Sequence, residues 1–391
     1  MNRVTANTYF NTILILLLIA VSGSAAFFTY QIGYLVFFPT LVFLFRGMRI
    51  PNKHILFLIF TGLLIFAQTL YHTGNLNLFS SLLQISNILT IYLISRLVVT
   101  EFSFIYRRIM IVIALISLFF WTGLQISDAI KDELLYFAKD LAQLSSDEKL
   151  ETIRPDTYYH LYLFVIPIGE TLRNSGLFYE PGRFAVFLGI ALALNLFRRK
   201  SKLFDIEDLI YIFAIVTTFS TAGYYALLIL ISTRVFLTYK SPLHLLIGII
   251  AVPVLIWYVN GLDFMWEKVN SDYSNFESYS RFSAIAYHLE LIAQSPILGW
   301  GYNIEDIELS PNGLTILVLR WGFVFSILYF VLLYKGVNTL LGSFRDQKWT
   351  RNLVFVTIII LTFSQTATVD AFYFALMFFG LSKFKLNASN G

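Results

Sequence analysis

The sequence predicts an all-α fold, a polytopic transmembrane helical bundle of about 12 spans that carries two long extracytoplasmic loops. Three observations predict it. Of 391 residues, 57% are hydrophobic and only 13% are charged, against roughly 25% charged in ordinary soluble domains. The mean hydropathy of +0.71 leaves more apolar surface than a soluble core can hide. Apolar runs near the length that crosses roughly 30 Å of hydrocarbon recur along the chain, and basic residues follow every second one.

The spans fall at approximately 8–22, 25–45, 55–72, 77–98, 104–126, 181–197, 206–220, 222–237, 242–259, 312–334, 352–366 and 368–382. The pair meeting at Ser220 to Gly223 reads either as one hairpin or as a re-entrant element. No clear small-residue cleavage site follows the first span, so it does not read as a cleaved signal peptide. The 39 Phe and 23 Tyr suit rings that pack against lipid and anchor at headgroup level. With no cysteine in the chain, disulfides and thiolate metal sites are excluded; no metal and no cofactor is expected.

Orientation follows from Lys and Arg, which concentrate in short cytoplasmic loops. Arg46, Arg49 and Lys53 follow the second span; Arg96, Arg107 and Arg108 lie around the end of the fourth; Arg198, Arg199, Lys200 and Lys202 follow the sixth. Arg234 and Lys240, then Arg345, Lys348 and Arg351, then Lys383 and Lys385, mark the ends of the eighth, tenth and twelfth. Both termini are therefore expected in the cytoplasm. The chain divides into spans 1–126, a first outer loop 127–180, spans 181–259, a second outer loop 260–311, and spans 312–391. Both outer loops are rich in Asp and Glu, against which their few arginines stand out.

In the first loop Ile130, Leu134, Phe137, Ala138 and Leu141 recur at helical spacing, with Lys131, Asp132, Lys139 and Asp140 on the other face. This reads as a helix lying on the membrane surface. The apolar run 158–169, too short to span, reads as a re-entrant or interfacial piece. In the second loop Phe282, Ile285, Leu289 and Ile292 form a stripe over 280–294. Arg281 and His288, one heptad apart, differ by only about 20° around such a helix. Pro296, Gly299 and Gly301 end it.

The string Leu172-Arg173-Asn174-Ser175-Gly176-Leu177-Phe178-Tyr179-Glu180-Pro181-Gly182-Arg183-Phe184-Ala185 resembles the R-x-S-G-x-F-x-E-P segment of bacterial O-antigen and capsule polymerases. Ser280-Arg281 followed by Ser295-Pro296-Ile297-Leu298-Gly299-Trp300-Gly301 is similar to their R…nP-x-x-G-x-G segment, and Asn312 to Gly322 enters a helix much as the H-N…G stretch of the related O-antigen ligases does. Pro311 stands where the ligases carry His, which favours the polymerase branch. The resemblance implies a metal-independent glycosyltransferase acting on polyprenyl-diphosphate-linked oligosaccharides, as donor and acceptor, in the bacterial inner membrane. Other implied partners are membrane lipids and a chain-length regulator protein. Two alternatives stay open: an O-antigen ligase that uses a lipid A core as acceptor, and a transporter or flippase of lipid-linked sugar.

Such a reaction needs a stabiliser for the departing diphosphate and a base for the incoming hydroxyl. Arginine suits the first task through its planar, permanently charged fork of donors; Arg173, Arg183 and Arg281 are the outward candidates, each with local ion pairing as the plainer role. For the base, Glu180 lies within the motif between two arginines, while His288 starts nearer neutrality. Glu180 is favoured by position; a salt bridge for Glu180 and a hydrogen bond inside the fold for His288 are the structural alternatives. Arg320 and Asp370 fall within predicted spans, where a charge is costly without a partner, and read as a pair, either a structural clasp between the tenth and twelfth spans or a substrate-binding element. No Walker loop, dinucleotide glycine pattern, HExxH or G-x-S-x-G occurs, and no nucleic-acid partner is expected.

The charge pattern predicts that reporter fusions at Asp140 and Asp272 score as extracytoplasmic, and those at Lys200 and Lys348 as cytoplasmic. A cytoplasmic signal from either long loop would overturn the orientation.

Overall fold

The structure, a computed structural model, describes residues 3–24, 32–74, 77–144, 158–160, 164–167, 173–198, 203–239, 281–301, 312–341, 348–363 and 365–382. The described elements are overwhelmingly helical. The span expected at 242–259 and most of the second outer loop lie outside the described residues.

In chain order the helices are α1 (Arg3–Gly23), α2 (Phe37–Phe45), α3 (Asn52–Thr73), α4 (Leu78–Val98), α5 (Phe102–Ile126) and α6 (Asp128–Leu144). Then come α7 (Pro181–Leu196), α8 (Ile206–Thr217), α9 (Thr221–Tyr239), α10 (Arg281–Gln294), α11 (Gly313–Leu340), α12 (Lys348–Phe363) and α13 (Ala371–Phe379). By length and composition five helices are able to cross a membrane: Asn52–His72, Leu78–Val98, Phe102–Ile126, Thr221–Thr238 and Gly313–Leu340. Asn7–Gly23, Ile32–Phe45 and Pro181–Leu196 are apolar but shorter. The expected count of twelve is not reached by this measure among the described residues.

Two of the short helices, α7 and α13, sit inside protein. Every residue of α7 is buried, as are Phe372 to Phe379 of α13. At 1.5 Å per residue α13 is about 14 Å long, too little to cross alone. Non-helical backbone at such depth is tolerated only where protein satisfies it, and α13 is preceded by a 3-10 turn, Thr366–Val369. The lipid-facing surface lies instead on helices such as α3, with exposed Leu56, Ile59 and Leu63, and α5, with Val112, Leu115 and Phe119.

An aromatic ladder runs through the interior. Phe178 packs on Phe187 (4.6 Å between ring centroids), Phe187 on Phe372 (4.7 Å), Phe372 on Tyr106 (5.1 Å), and Phe102 on Tyr106 (5.2 Å) and Phe379 (4.8 Å). Such pairs add about 0.5–1.5 kcal/mol each beyond burial. They bind α5, α7 and α13 to the segment that precedes α7.

Two expectations are refined. The run 158–169 contributes an antiparallel pair of strands, β1 (Tyr158–His160) and β2 (Val165–Pro167), in the register Tyr159 opposite Ile166; Phe164 and Ile166 bury against Leu124. The junction at Ser220 joins two separate helices, α8 and α9, through Phe219 at φ 47°.

The bundle has two chemically distinct ends. At one, Arg46 reaches Asn7 (3.1 Å), Arg96 reaches Ser382 (3.1 Å), Arg107 reaches Asn195 (2.7 Å) and Arg198 pairs with Asp205 (3.1 Å). These basic residues are among those the sequence assigns to the cytoplasm. The motif segments gather at the other end.

There α11 is interrupted. Gly322 (φ 70°, ψ 169°) adopts a backbone conformation open essentially to glycine alone. The freed backbone groups find partners in the segment after α10: Trp300 N donates to Leu319 O (2.8 Å), Gly301 N to Arg320 O (2.9 Å), and Phe323 N to Pro296 O (2.8 Å). A Cβ at Gly322 would collide with the Ile297 carbonyl, whereas Gly47, also at positive φ, has nothing nearby. Gly47→Ala is therefore expected to cost about 1–2 kcal/mol of conformational strain, and Gly322→Ala clearly more. Unfolding midpoints of the two variants in detergent check this; equal shifts would contradict it.

Candidate functional site

The site is built from the segment that enters α7. Asn174 is fully buried and threads this segment through the bundle: its N donates to Thr217 O (2.9 Å), and its side-chain amide donates to Ser117 Oγ (3.2 Å) and Thr217 Oγ1 (2.9 Å). Its Oδ1 accepts from Gly176 N (3.0 Å), which supports the positive φ of Gly176. Arg173 next to it donates from Nε to Thr218 O (3.1 Å) and from Nη2 to Phe219 O (3.0 Å). It thereby caps carbonyls at the C-terminal end of α8, where positive charge is favoured.

Glu180 occupies the N-cap position of α7 in extended conformation, with Pro181 at the first helical position. Its carboxylate is half-buried and is not spent on a capping hydrogen bond. It lies at the positive end of the helix dipole.

Arg183, only 3% exposed, lies in the first turn of α7. Nε donates to Ser22 O (2.9 Å), Nη1 to Tyr179 Oη and to Thr366 Oγ1 (3.2 Å), and Nη2 pairs with the Asp370 carboxylate. The guanidinium also lies 5.0 Å over the Tyr179 ring. Two sequence expectations are corrected here. Asp370 is the partner of Arg183 rather than of Arg320, because the turn before α13 carries it to the α7 N-terminus. Arg183 is accordingly a buried internal pin, its donors taken up by protein acceptors, rather than an outward phosphate clamp.

The polar strap 365–370 joins this motif to the start of α11. Gly182 and Gly313 both face Gln365, and a Cβ on either would strike it. Thr368 Oγ1 donates to Gly313 O, and Tyr329 Oη donates to Thr368 O (2.8 Å). Sequence reasoning passed over the strap, although Gln365-Thr366-Ala367-Thr368 is a conspicuously polar break between two apolar helices.

Asn312 caps α11, its Oδ1 accepting from Leu314 N (2.9 Å) and Thr315 N (3.3 Å). Thr315 Oγ1 lies 2.8 Å from Nδ1 of His288, which is 1% exposed on α10. Thr315 Oγ1 also lies 3.4 Å from Asn312 O, so the hydroxyl ties the imidazole to the start of α11 and fixes its orientation. Burial, then the positive charge of Arg320, push the His288 pKa down to about 4. The imidazole is therefore neutral at physiological pH, with Arg320 beside it. Arg281 shares α10 with His288, but its side chain lies outside the described residues.

No group of three or more His, Cys, Asp or Glu suited to a metal ion occurs among the described residues. What the arrangement offers chemically is a carboxylate at a helix N-terminus, a neutral oriented imidazole and arginines, gathered at one end of an apolar bundle.

Comparison with known proteins bears on this region. Residues 208–317 match the family model described as O-antigen ligase. The match takes in His288, Asn312 and Thr315 and is consistent with the O-antigen polymerase/ligase superfamily. It supports ligase- or polymerase-type glycosyl transfer in general, by a multi-pass membrane protein. No curated protein and no solved structure matches the chain.

The His288 environment has a pH signature. Unfolded imidazole protonates near its ordinary value of 6.5, while the folded one resists down to about 4. Between these values the unfolded state binds more protons, so stability is full above the window and falls as pH drops through it. The loss is on the order of 3 kcal/mol at most. His288→Gln is expected to flatten that part of the profile, read as the difference in unfolding midpoint between about pH 7 and about pH 4.5. Identical pH dependence in both proteins would contradict the buried neutral state.

Proposed function

We propose, with the O-antigen ligase family match as the premise, that this protein joins polyprenyl-diphosphate-linked oligosaccharide repeat units into O-antigen or capsular polysaccharide on the extracytoplasmic side of the membrane. The observation that carries this reading is convergence: the Glu180–Arg183 motif and the His288, Asn312 and Thr315 group meet at the strap 365–370, away from the basic end.

The donor sugar already bears its leaving group. An acceptor hydroxyl attacks the anomeric carbon, the bond to the diphosphate oxygen breaks with its electron pair, and the hydroxyl proton passes to a base. Glu180 takes that proton: it is half-buried, and it is held next to the Arg183 pin through Tyr179. His288, neutral at physiological pH, is the second candidate, although its burial restricts access. Arg173 and Arg281 come from two outer segments and, with Arg320, supply the charge that holds the departing diphosphate. Arg183 positions rather than binds. Metal ions have no assigned role in this scheme.

Pro311 before Asn312 favours polymerase over ligase. A transporter would be expected to hold its polar site at the bilayer midplane, whereas these groups collect at one end.

Deleting the gene and resolving the surface glycan by electrophoresis tests the reading. A single repeat unit per lipid A core marks a lost polymerase. Complete loss of attached glycan, with polymer retained on its carrier, marks a lost ligase. Restoring the gene with Glu180→Gln should leave folded protein and cut polymer formation by about 10²–10⁴. Near-normal polymer from Glu180→Gln beside an inactive His288→Gln would move the base to His288.

A further inference from the structure

We infer that Gln68, in the largely apolar helix α3, is a positioning residue for this site. Only its activity readout rests on the glycosyl-transfer reading above. Gln68 is 2% exposed. Both hydrogens of its side-chain amide are directed at carbonyls far away in sequence, Leu298 O (2.7 Å) and Arg320 O (2.8 Å). A buried amide in a bilayer-spanning helix is costly unless paired, and this one is paired across a joint.

The joint is the interruption of α11 at Gly322. Its first segment, Gly313–Trp321, carries Thr315 and Arg320, and the break uncouples the direction of that segment from the rest of the helix. Gln68 grips the carbonyl of Arg320 itself and, with its other hydrogen, the Pro296–Gly301 segment that fills the break. One turn further along α3, His72 donates from Nε2 to Gly299 O (2.8 Å) and stacks on Trp300 at 4.3 Å between centroids. Trp300 Nε1 in turn donates to Leu291 O of α10 (2.8 Å), the helix that carries His288. Through these contacts α3 sets where Arg320 and His288 stand relative to the bundle. Neither Gln68 nor His72 lies in a motif or in the matched span 208–317.

Two measurements on the full-length protein test this. The chain has no cysteine, so spin labels on Leu289→Cys (α10) and Ile327→Cys (α11, beyond the break) report one distance without background; both positions are exposed. Gln68→Met, which keeps the volume and removes the donors, should broaden or shift that distance. In proteoliposomes fed lipid-linked repeat units, the same variant should lower kcat about 10-fold to about 100-fold. In an Arg320→Gln background it should cost less than about twofold, because residues acting through one another are not additive. An unchanged distance distribution overturns the inference whatever the activity does. Equal fold losses in both backgrounds overturn it too and return Gln68 to a packing role. If Gln68→Met does not accumulate, His72→Phe, which keeps the stack and loses the donor, carries the same two measurements with the same criteria. Absence of polymer from the unmodified protein would count against the polymerase reading and leave the distance measurement to decide on Gln68.

Discussion

The ion pair between Arg183 and Asp370, with the hydrogen bonds around it, holds together three parts of the chain that have no local reason to meet. Ser22 lies at the end of α1, Tyr179 and Arg183 around the start of α7, and Thr366 and Asp370 in the strap before α13. A guanidinium this deeply buried is tolerable only if its charge and its donors are matched by protein, since removing one partner of a buried pair typically costs about 3–5 kcal/mol. That requirement places the N-terminus of α7, and with it Glu180. It also explains the small residue at Gly23, where a Cβ would press on Phe178 and on Arg183 itself.

Around this pin, this end of the bundle is made of interrupted helices. The chain before α13 passes through a 3-10 turn, α11 breaks at Gly322, and α8 gives way to α9 at Phe219. In an apolar medium each interruption frees backbone groups that must be satisfied by protein. Asn174, Gln68, His72, Thr368 and the Trp300–Gly301 backbone help to meet that demand. Backbone satisfaction and site construction are here one task, because the elements that close the breaks also carry or hold Glu180, His288 and Arg320.

The charges at this end divide by depth. Arg183 and Asp370 neutralise one another inside the fold, and His288 is driven to its neutral form by burial and by Arg320. Glu180 and Arg173 are half-exposed at the ends of α7 and α8. A ligand arriving at this end would meet the second group first, while the first group sets the frame in which they stand.

Composition and the spacing of apolar runs by themselves determined that this is a helical membrane protein, because a period of 3.6 and a length near 20 residues are local properties of the chain. They also marked most helix limits, for example Leu78–Val98 and Phe102–Ile126, and the helix ended by Pro296. The motif residues from Arg173 to Arg183 were conspicuous as a polar string, and Asn312 as a helix cap. Partner choice was not legible. Arg320 and Asp370 looked like a pair because both interrupt apolar runs, yet sequence position says nothing of which helix faces which, and the turn at 366–369 delivers Asp370 to Arg183 instead. Nor did the sequence single out Gln68 or the strap at Gln365: an isolated amide in an apolar helix gains its meaning only from the carbonyls it reaches, more than two hundred residues away. Tertiary structure alone decided those contacts, because a buried polar group is stabilised by whatever acceptor the packing brings within hydrogen-bonding distance.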